Sequence, residues 1–90
     1  MMKKIHVFIS GIVQGVGFRY FLRTHAKNMR ISGWARNTGN MVEALFHGSD
    51  DSIEKILELC RQGPPSSSVK EIRVEECPDE DCSDAFCIRF

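Results

Sequence analysis

The chain has 90 residues, and its twelve basic and twelve acidic side chains give a formal net charge of zero. Balanced charge creates no broad field for nucleic acid or an anionic membrane, so we expect neither as a partner. A chain of this length is large enough to form the buried core of one domain. We place that domain over residues 1–90. No apolar run approaches the ~20 residues of a membrane span and no secretory signal is evident, so we expect a cytoplasmic protein.

The first predicted element is a strand over residues 4–10, where apolar and polar side chains alternate. Three glycines follow between residues 11 and 17, and Arg19 stands at the start of a helical pattern. A loop with few Cβ atoms before a helix N-terminus lets backbone N–H groups converge on an anion, and the arginine adds a planar fork of donors. A tight glycine turn is the alternative, but Arg19 favours a phosphate-binding loop. We assign to this loop Gln14, Gly15, Val16, Gly17, Phe18 and Arg19.

The groups that this loop lacks restrict its chemistry. It is not a Walker A motif, because no Gly-Lys-Ser/Thr follows, and it has no dinucleotide fingerprint. Val13 precedes the arginine with five residues between them, at the position where some phosphatases carry a cysteine nucleophile. No residue from 11 to 19 is Cys, Ser, Thr, His, Asp or Glu. A phospho-enzyme formed on the loop is therefore excluded, and the attacking group must be water.

Apolar spacing and turn residues predict the rest of the chain. In order, we expect a helix over 18–29, strands over 31–37 and 41–47, a helix over 50–62, a strand over 69–76 and a last strand through Phe86, Ile88 and Phe90. Gly39-Asn40 suits a tight hairpin between the two middle strands. Ser49 or Asp51 caps the second helix, which ends at Gly63.

The order βαββαβ with a final short strand predicts an α+β fold, the ferredoxin-like α/β sandwich. We expect an antiparallel sheet with two helices on one face and with the first and third strands in the middle. The start of the first helix then lies near the end of the first strand, beside the strand that carries Asn37.

Metal ligation is not expected. The four cysteines, Cys60, Cys77, Cys82 and Cys87, form no C-x-x-C pair, and His6, His25 and His47 lie on different elements without ligand spacing. We interpret the histidines as surface residues and the acidic residues from Glu43 onward mostly as solvated. Reduced thiols are the favoured state, and a Cys77–Cys87 disulfide across neighbouring strands stays open.

The segment Gly11-x-Val13-Gln14-Gly15-Val16-Gly17-Phe18-Arg19 resembles the first signature of the acylphosphatases. A second family motif is matched by Gly33-Trp34-Ala35-Arg36-Asn37 and Val42-Glu43. Gly63-Pro64-Pro65 and Phe86-x-Ile88-Arg89-Phe90 are also similar to the family, and the resemblance covers essentially the whole chain. One departure is that the segment 38–41 is a residue shorter than the usual connection.

The resemblance implies a hydrolase of small-molecule acyl phosphates, which we expect to be a monomer without a cofactor. No pair of acidic residues is placed to hold a metal ion over the loop, so we expect activity without a metal. An anion-binding loop also predicts inhibition by inorganic phosphate or sulfate. The loop amides and Arg19 would hold the phosphoryl group, and Asn37 would orient the attacking water. A cation at a helix N-terminus costs about 0.3–1 kcal/mol, which a bound anion offsets, so the position of Arg19 itself favours a ligand.

Three alternatives stay open from the residues alone. Trp34 is expected to pack in the core or the hairpin and is not one of the three. Spacing by itself favours Asn37 as a turn-forming residue before the hairpin. The whole chain could be a non-catalytic anion-binding domain. It could also be an RNA-binding ferredoxin-like module, although residues 41–46 lack the basic-glycine-aromatic motif of such modules.

Overall fold

The computed structural model describes residues 1–76 and 85–89. Its elements are β1 (Met2–Ile12), α1 (Phe18–Asn28), β2 (Ser32–Thr38), β3 (Met41–Ser49), α2 (Asp50–Gln62), β4 (Ser68–Glu76) and β5 (Phe86–Ile88). The strands form one sheet in the order β4-β1-β3-β2-β5, and both helices pack on it. The predicted ferredoxin-like α+β fold is confirmed, with β1 and β3 adjacent in the interior of the sheet.

The core lies between the helices and one face of the sheet. Alternate residues of β1 are buried, as their apolar-polar alternation predicts. The strands contribute Ile5, Val7, Ile9, Val42, Ala44 and Phe46, and the helices contribute Phe18, Leu22, Ala26, Ile53, Ile56 and Cys60. Each large apolar side chain buried in this way stabilises the fold by about 1.5–3 kcal/mol.

The fifth strand makes the sheet mixed. The first four strands pair antiparallel, as expected, whereas β5 runs parallel to β2, with Phe86 opposite Gly33 and Ile88 opposite Ala35. The open edge of β2 accepts β5 because Phe86 there stacks on Phe46, with ring centroids 5.7 Å apart. Phe90, which we expected in this strand, lies outside the described residues.

The Cys77–Cys87 pairing that the sequence leaves open involves Cys77, which lies outside the described residues. β4 and β5 lie at opposite edges of the sheet, four strand spacings or about 19 Å apart. Cys77, Cys82 and the acidic segment 78–84 lie outside the described residues. Cys60 is buried in the core, Cys87 is exposed, and burial raises the pKa of the Cys60 thiol to about 12.

Turn and capping residues behave as their chemistry predicts. Ser49 caps α2, since its hydroxyl accepts from the Ser52 amide at 3.2 Å, which decides between the two proposed caps. Thr38 pairs with Met41, so Gly39 and Asn40 form a two-residue turn. Of these two residues only Gly39 has a positive φ, as in a type II′ turn.

β1 is longer than predicted and includes the first glycine of the glycine-rich segment. A bulge against β4 falls between Ser10 and Gly11, where φ is 123°. A Cβ at Gly11 would overlap the carbonyl oxygen of Ser68. Gly11 therefore serves the strand pairing, and the loop itself begins at Val13. Within the described chain, neither helix is long and apolar enough to cross a membrane.

Candidate active site

Apolar side chains anchor the loop between β1 and α1 to the core. Val13 is buried in the core, and Val16 packs against it in part. Gly15 and Gly17 have φ values of 73° and 77°, and a Cβ on either would meet nothing within 4 Å. The backbone conformation, not a lack of space, therefore requires glycine. The outer side of the loop is open to a ligand.

The N-terminus of α1 completes the loop. Gly17 occupies the N-cap position, no side chain caps the helix, and its first turn holds no acidic residue. The first helical bond runs from the Phe21 amide to the Gly17 carbonyl oxygen at 2.9 Å. The amides of residues 18–20 thus form the donor end of the helix dipole without a capping side chain within the described residues.

Gln14 ties this loop to the hairpin between β2 and β3. Its side-chain nitrogen donates to the carbonyl oxygens of Gly39 at 2.7 Å and Met41 at 2.9 Å. These two bonds use both hydrogens of the amide group. Only the backbone of Gln14 could therefore donate to an anion, and the side chain instead holds the loop beside the end of β2.

Arg19 reaches from the first turn of α1 to the end of β5. Its guanidinium donates to the Arg89 carbonyl oxygen at 2.9 Å, and the Arg89 amide donates to the Ala35 carbonyl oxygen at 2.8 Å. These bonds connect Arg19 to β2 two residues before Asn37. Anchoring also reduces the rotamer freedom that the arginine loses when it binds a ligand.

Asn37 lies in β2 and not in the turn. It pairs with Val42, which in turn pairs with Ile9, so it lies on the helix side of the sheet near the end of β1. Asn37 is exposed, and its side-chain amide has no hydrogen-bond partner among residues 1–76 and 85–89. The structure therefore places the loop, Arg19 and Asn37 at one end of the sheet and gives no support to a turn-forming role.

A buried carboxylate lies behind Asn37, on the other face of the sheet. Glu43 is 4% exposed, and one of its oxygens accepts from Arg36 and from Thr38, each at 2.8 Å. Its other oxygen lies 2.6 Å from His6 Nε2. Burial by itself would raise the pKa of Glu43, but its hydrogen-bond donors hold that pKa below the ordinary value.

This cluster corrects the interpretation of His6 and Glu43 as solvated surface residues. Both Arg36 and Thr38 are neighbours of Asn37 in the chain, so Glu43 holds the two residues that flank it. The available signal in the sequence was an acidic residue within the apolar β3 segment, at a position that the hairpin pairs with Arg36.

Trp34 is buried as expected, but on the face away from the helices. The guanidinium groups of Arg36 and Arg89 lie over its ring, 5.2 and 4.6 Å from the centroid. The His6 ring also contacts the Trp34 ring in an edge-to-face arrangement, with ring centroids 5.8 Å apart. Trp34 Nε1 is buried without a hydrogen-bond partner in the described part of the chain.

No three His, Cys, Asp or Glu side chains cluster at metal-binding distances within residues 1–76 and 85–89. At the loop itself, the chain offers only backbone amides and a guanidinium. These donors suit an anion.

Comparison with known proteins agrees with this arrangement. The acylphosphatase family model matches residues 5–88. The chain belongs to the acylphosphatase family. An acylphosphatase from Rhodospirillum rubrum is 47% identical over 74 residues, which cover 81% of each chain. Another, from Caldivirga maquilingensis, is 35% identical over 89 residues, which cover 97% of this chain and 94% of the relative.

Solved acylphosphatase structures have the same fold. The enzyme from Coxiella burnetii superposes with a TM-score of 0.92 at 37% identity, covering 98% of this chain and 93% of its own. The acylphosphatase from Bacillus subtilis gives the same TM-score at 32% identity, covering all of both chains. The family expected from the sequence motifs is confirmed, and the protein is an enzyme of the acylphosphatase type. Nothing in these similarities favours a non-catalytic or RNA-binding module.

Proposed function

We propose that this acylphosphatase hydrolyses the carboxyl-phosphate bond by direct attack of water on phosphorus, with no phospho-enzyme. A bond forms between the water oxygen and phosphorus, the bond from phosphorus to the acyl oxygen breaks, and the proton of water passes to solvent. The products are a carboxylate and inorganic phosphate. The observation that carries the proposal is the convergence of the α1 N-terminus, Arg19 and Asn37 at one end of the sheet.

The loop would bind the phosphoryl group. The backbone amides of Gly15 to Arg19 and the Arg19 guanidinium supply donors on its open side. Charge in the transition state of phosphoryl transfer spreads over three equatorial oxygens, and fixed donors at those oxygens need no rearrangement during reaction. The same donors would bind inorganic phosphate or sulfate, which we therefore propose as competitive inhibitors.

Asn37 would position the water. An amide oxygen accepts a hydrogen bond from water while the amide nitrogen donates to a phosphoryl oxygen. Asparagine is a poor base, but the carboxylate leaving group departs without being protonated, so a strong base is not required. Orienting water in this way accelerates the reaction by reducing the entropy lost in the transition state.

The proposal includes a monomeric single-domain enzyme that works in the cytoplasm without a metal or other cofactor. The metal-free part is supported by the hydrogen-bond donors at the loop and by Glu43, whose two oxygens are both engaged by neighbouring side chains. Turnover that disappears with a chelator and returns with magnesium would contradict the metal-free part of the proposal.

Hydrolysis of benzoyl phosphate in water enriched in oxygen-18 tests the reaction directly. We expect the label in inorganic phosphate and not in benzoate, because water attacks phosphorus. Label in benzoate, or a phosphorylated protein trapped by acid quench, would show another mechanism. Absence of turnover would overturn the proposed activity.

A further inference from the structure

A cavity of about 810 Å³ lies between the C-terminal half of α1 and the start of β5, beside Ala85. Its lining includes three cations with polar and apolar neighbours, namely Arg23, Lys27, Arg30, Thr24, Asn28 and Phe86. No acidic side chain lines this cavity within the described residues. The ion pairs formed within that part of the chain involve none of the three cations.

The cations continue a line that starts at Arg19. Arg19, Arg23 and Lys27 recur every fourth residue and so lie along one face of α1. Like charges at this spacing destabilise a helix by about 0.2–0.5 kcal/mol per pair. The helix dipole favours Lys27 in the last turn but not Arg23 in the middle. Arg23 also lies over the Tyr20 ring of the same helix, 5.2 Å from its centroid. The repulsion along the line of three cations is not relieved by that contact, whereas an anion bound beside them would relieve it.

Arg30 has an unusual backbone. Its φ is 56°, which makes it the single non-glycine residue with a positive φ in the described chain. It follows the end of α1, where the Ile31 amide donates to the Ala26 carbonyl oxygen at 2.8 Å. Glycine is the usual residue in this position, and a side chain costs roughly 1–2 kcal/mol there. The arginine at this costly position brings a third cation to the cavity.

Two independent measures give the separation between the cavity and the phosphate-binding loop. At 1.5 Å per residue along α1, Arg23 and Lys27 lie about 6 and 12 Å beyond Arg19. Along β5, Arg89 contacts Arg19 and Phe86 lines the cavity, three residues or about 10 Å apart. The cavity thus lies roughly 6–12 Å from the loop, a distance that one small substrate molecule can span.

We propose that this cavity is a subsite for the acyl group and that it selects acyl phosphates carrying a second anionic group. That group, a carboxylate or a phosphate, would lie roughly 6–12 Å from the phosphoryl group and contact Arg23, Lys27 and Arg30. The inference rests on the proposed function, because it places the phosphoryl group on the loop next to Arg19.

Matched pairs of substrates test the selectivity. Succinyl, adipoyl and suberoyl phosphate carry a distal carboxylate, and butanoyl, hexanoyl and octanoyl phosphate are their uncharged counterparts. We expect kcat/KM to be higher for the charged member of a pair, most clearly for the longer chains. Added salt should reduce the ratio of kcat/KM for the charged member to kcat/KM for the uncharged member, since exposed charges are screened. A ratio near one at every length would overturn the proposal.

Charge removal locates the effect. In Arg23→Gln/Lys27→Gln/Arg30→Gln, the ratio should fall by roughly two- to fivefold for each cation removed. Turnover of benzoyl phosphate, which has no second anion, should stay unchanged. The control Lys3→Gln/Lys55→Gln/Lys70→Gln removes the same charge from other elements and should keep the parent ratio. An equal loss in the control would attribute the preference to net charge and overturn the subsite.

Arg30→Gly separates binding from stability. Glycine relieves the positive φ, so this variant should melt at a higher temperature and yet show a lower ratio. If the cations are only counter-ions for acidic residues of this chain, the triple variant will melt lower with an unchanged ratio, which overturns the proposal. If no acyl phosphate is hydrolysed, the proposed function fails and the subsite with it. Failure of the subsite alone leaves benzoyl phosphate turnover intact.

Discussion

The side-chain amide of Gln14 donates to the Met41 carbonyl oxygen at 2.9 Å and so links the glycine-rich loop to the hairpin. Because Met41 pairs with Thr38, this bond sets the loop beside the residue that follows Asn37. The loop would bind the phosphoryl group and Asn37 would orient the water, so the relative position of the two groups depends on Gln14.

Gln14→Ala should therefore impair turnover without removing any group that contacts the substrate. We expect a loss of roughly 1–3 kcal/mol in unfolding free energy for its two hydrogen bonds, and a fall in kcat of about tenfold or more. Denaturant unfolding and steady-state kinetics on benzoyl phosphate measure both. The control Gln62→Ala, at the exposed end of α2, should behave as the parent does. A normal kcat in Gln14→Ala would show that the link is dispensable.

Arg19→Gln removes the charge and the bidentate fork while it keeps a polar side chain. Phosphate binding and kcat should both decline, because in the proposed mechanism the guanidinium contacts the phosphoryl group in the ground state and in the transition state. The inhibition constant of inorganic phosphate and kcat are the two measurements. The control Arg61→Gln, on α2, should change neither.

Asn37→Ala removes the amide that we propose positions the water, and it leaves the loop whole. We expect kcat to fall by about 10²–10³, the range seen when a fixed transition-state donor is deleted. Phosphate inhibition should change little, in contrast to Arg19→Gln. Asn40→Ala, in the adjacent turn, is the matched control and should keep full activity. If Asn37→Ala weakens phosphate binding as much as Arg19→Gln does, the assigned roles are wrong.

Glu43 should make the fold sensitive to acid. Its pKa is lower in the folded chain than in the unfolded one, so the folded state binds a proton less readily. The resulting stability is fully present above the unfolded pKa and is lost as pH falls through the folded pKa. Glu43→Gln should be less stable at neutral pH and lose less of its stability on acidification. Unfolding free energies from neutral pH to pH 3 test this, with the exposed Glu54→Gln as control. Equal pH dependence in parent and Glu43→Gln would refute the argument.

Cysteine modification should leave turnover intact. Cys87 is exposed and pairs with Trp34 on the sheet face away from the helices, whereas the Cys60 thiol is buried with a pKa raised to about 12. A thiol reagent at neutral pH should therefore label Cys87 and spare Cys60, with kcat/KM within about twofold of the untreated enzyme. Peptide mapping by mass spectrometry and a parallel assay measure this. A loss of activity that Cys87→Ser abolishes would place chemistry near β5.

Much of the fold could be predicted because it depends on local periodicity. The alternation in β1, the apolar stripe of α1, the Ser49 cap and the Gly39-Asn40 turn each express a preference of neighbouring residues. Their order along the chain then leaves few arrangements, because crossover connections are right-handed. The loop residues and the family motif are contiguous in the chain, so an anion-binding site could also be predicted from the sequence.

Only the tertiary structure decided which distant groups meet. Gln14 bonds residues 25 and 27 positions away, His6 meets Glu43 at a separation of 37, and Arg19 meets Arg89 at 70. Such pairs depend on strand register and on the edge that β5 joins, which no local preference specifies. For the same reason, the burial of Glu43 and the basic cavity between α1 and β5 became visible only in the assembled fold.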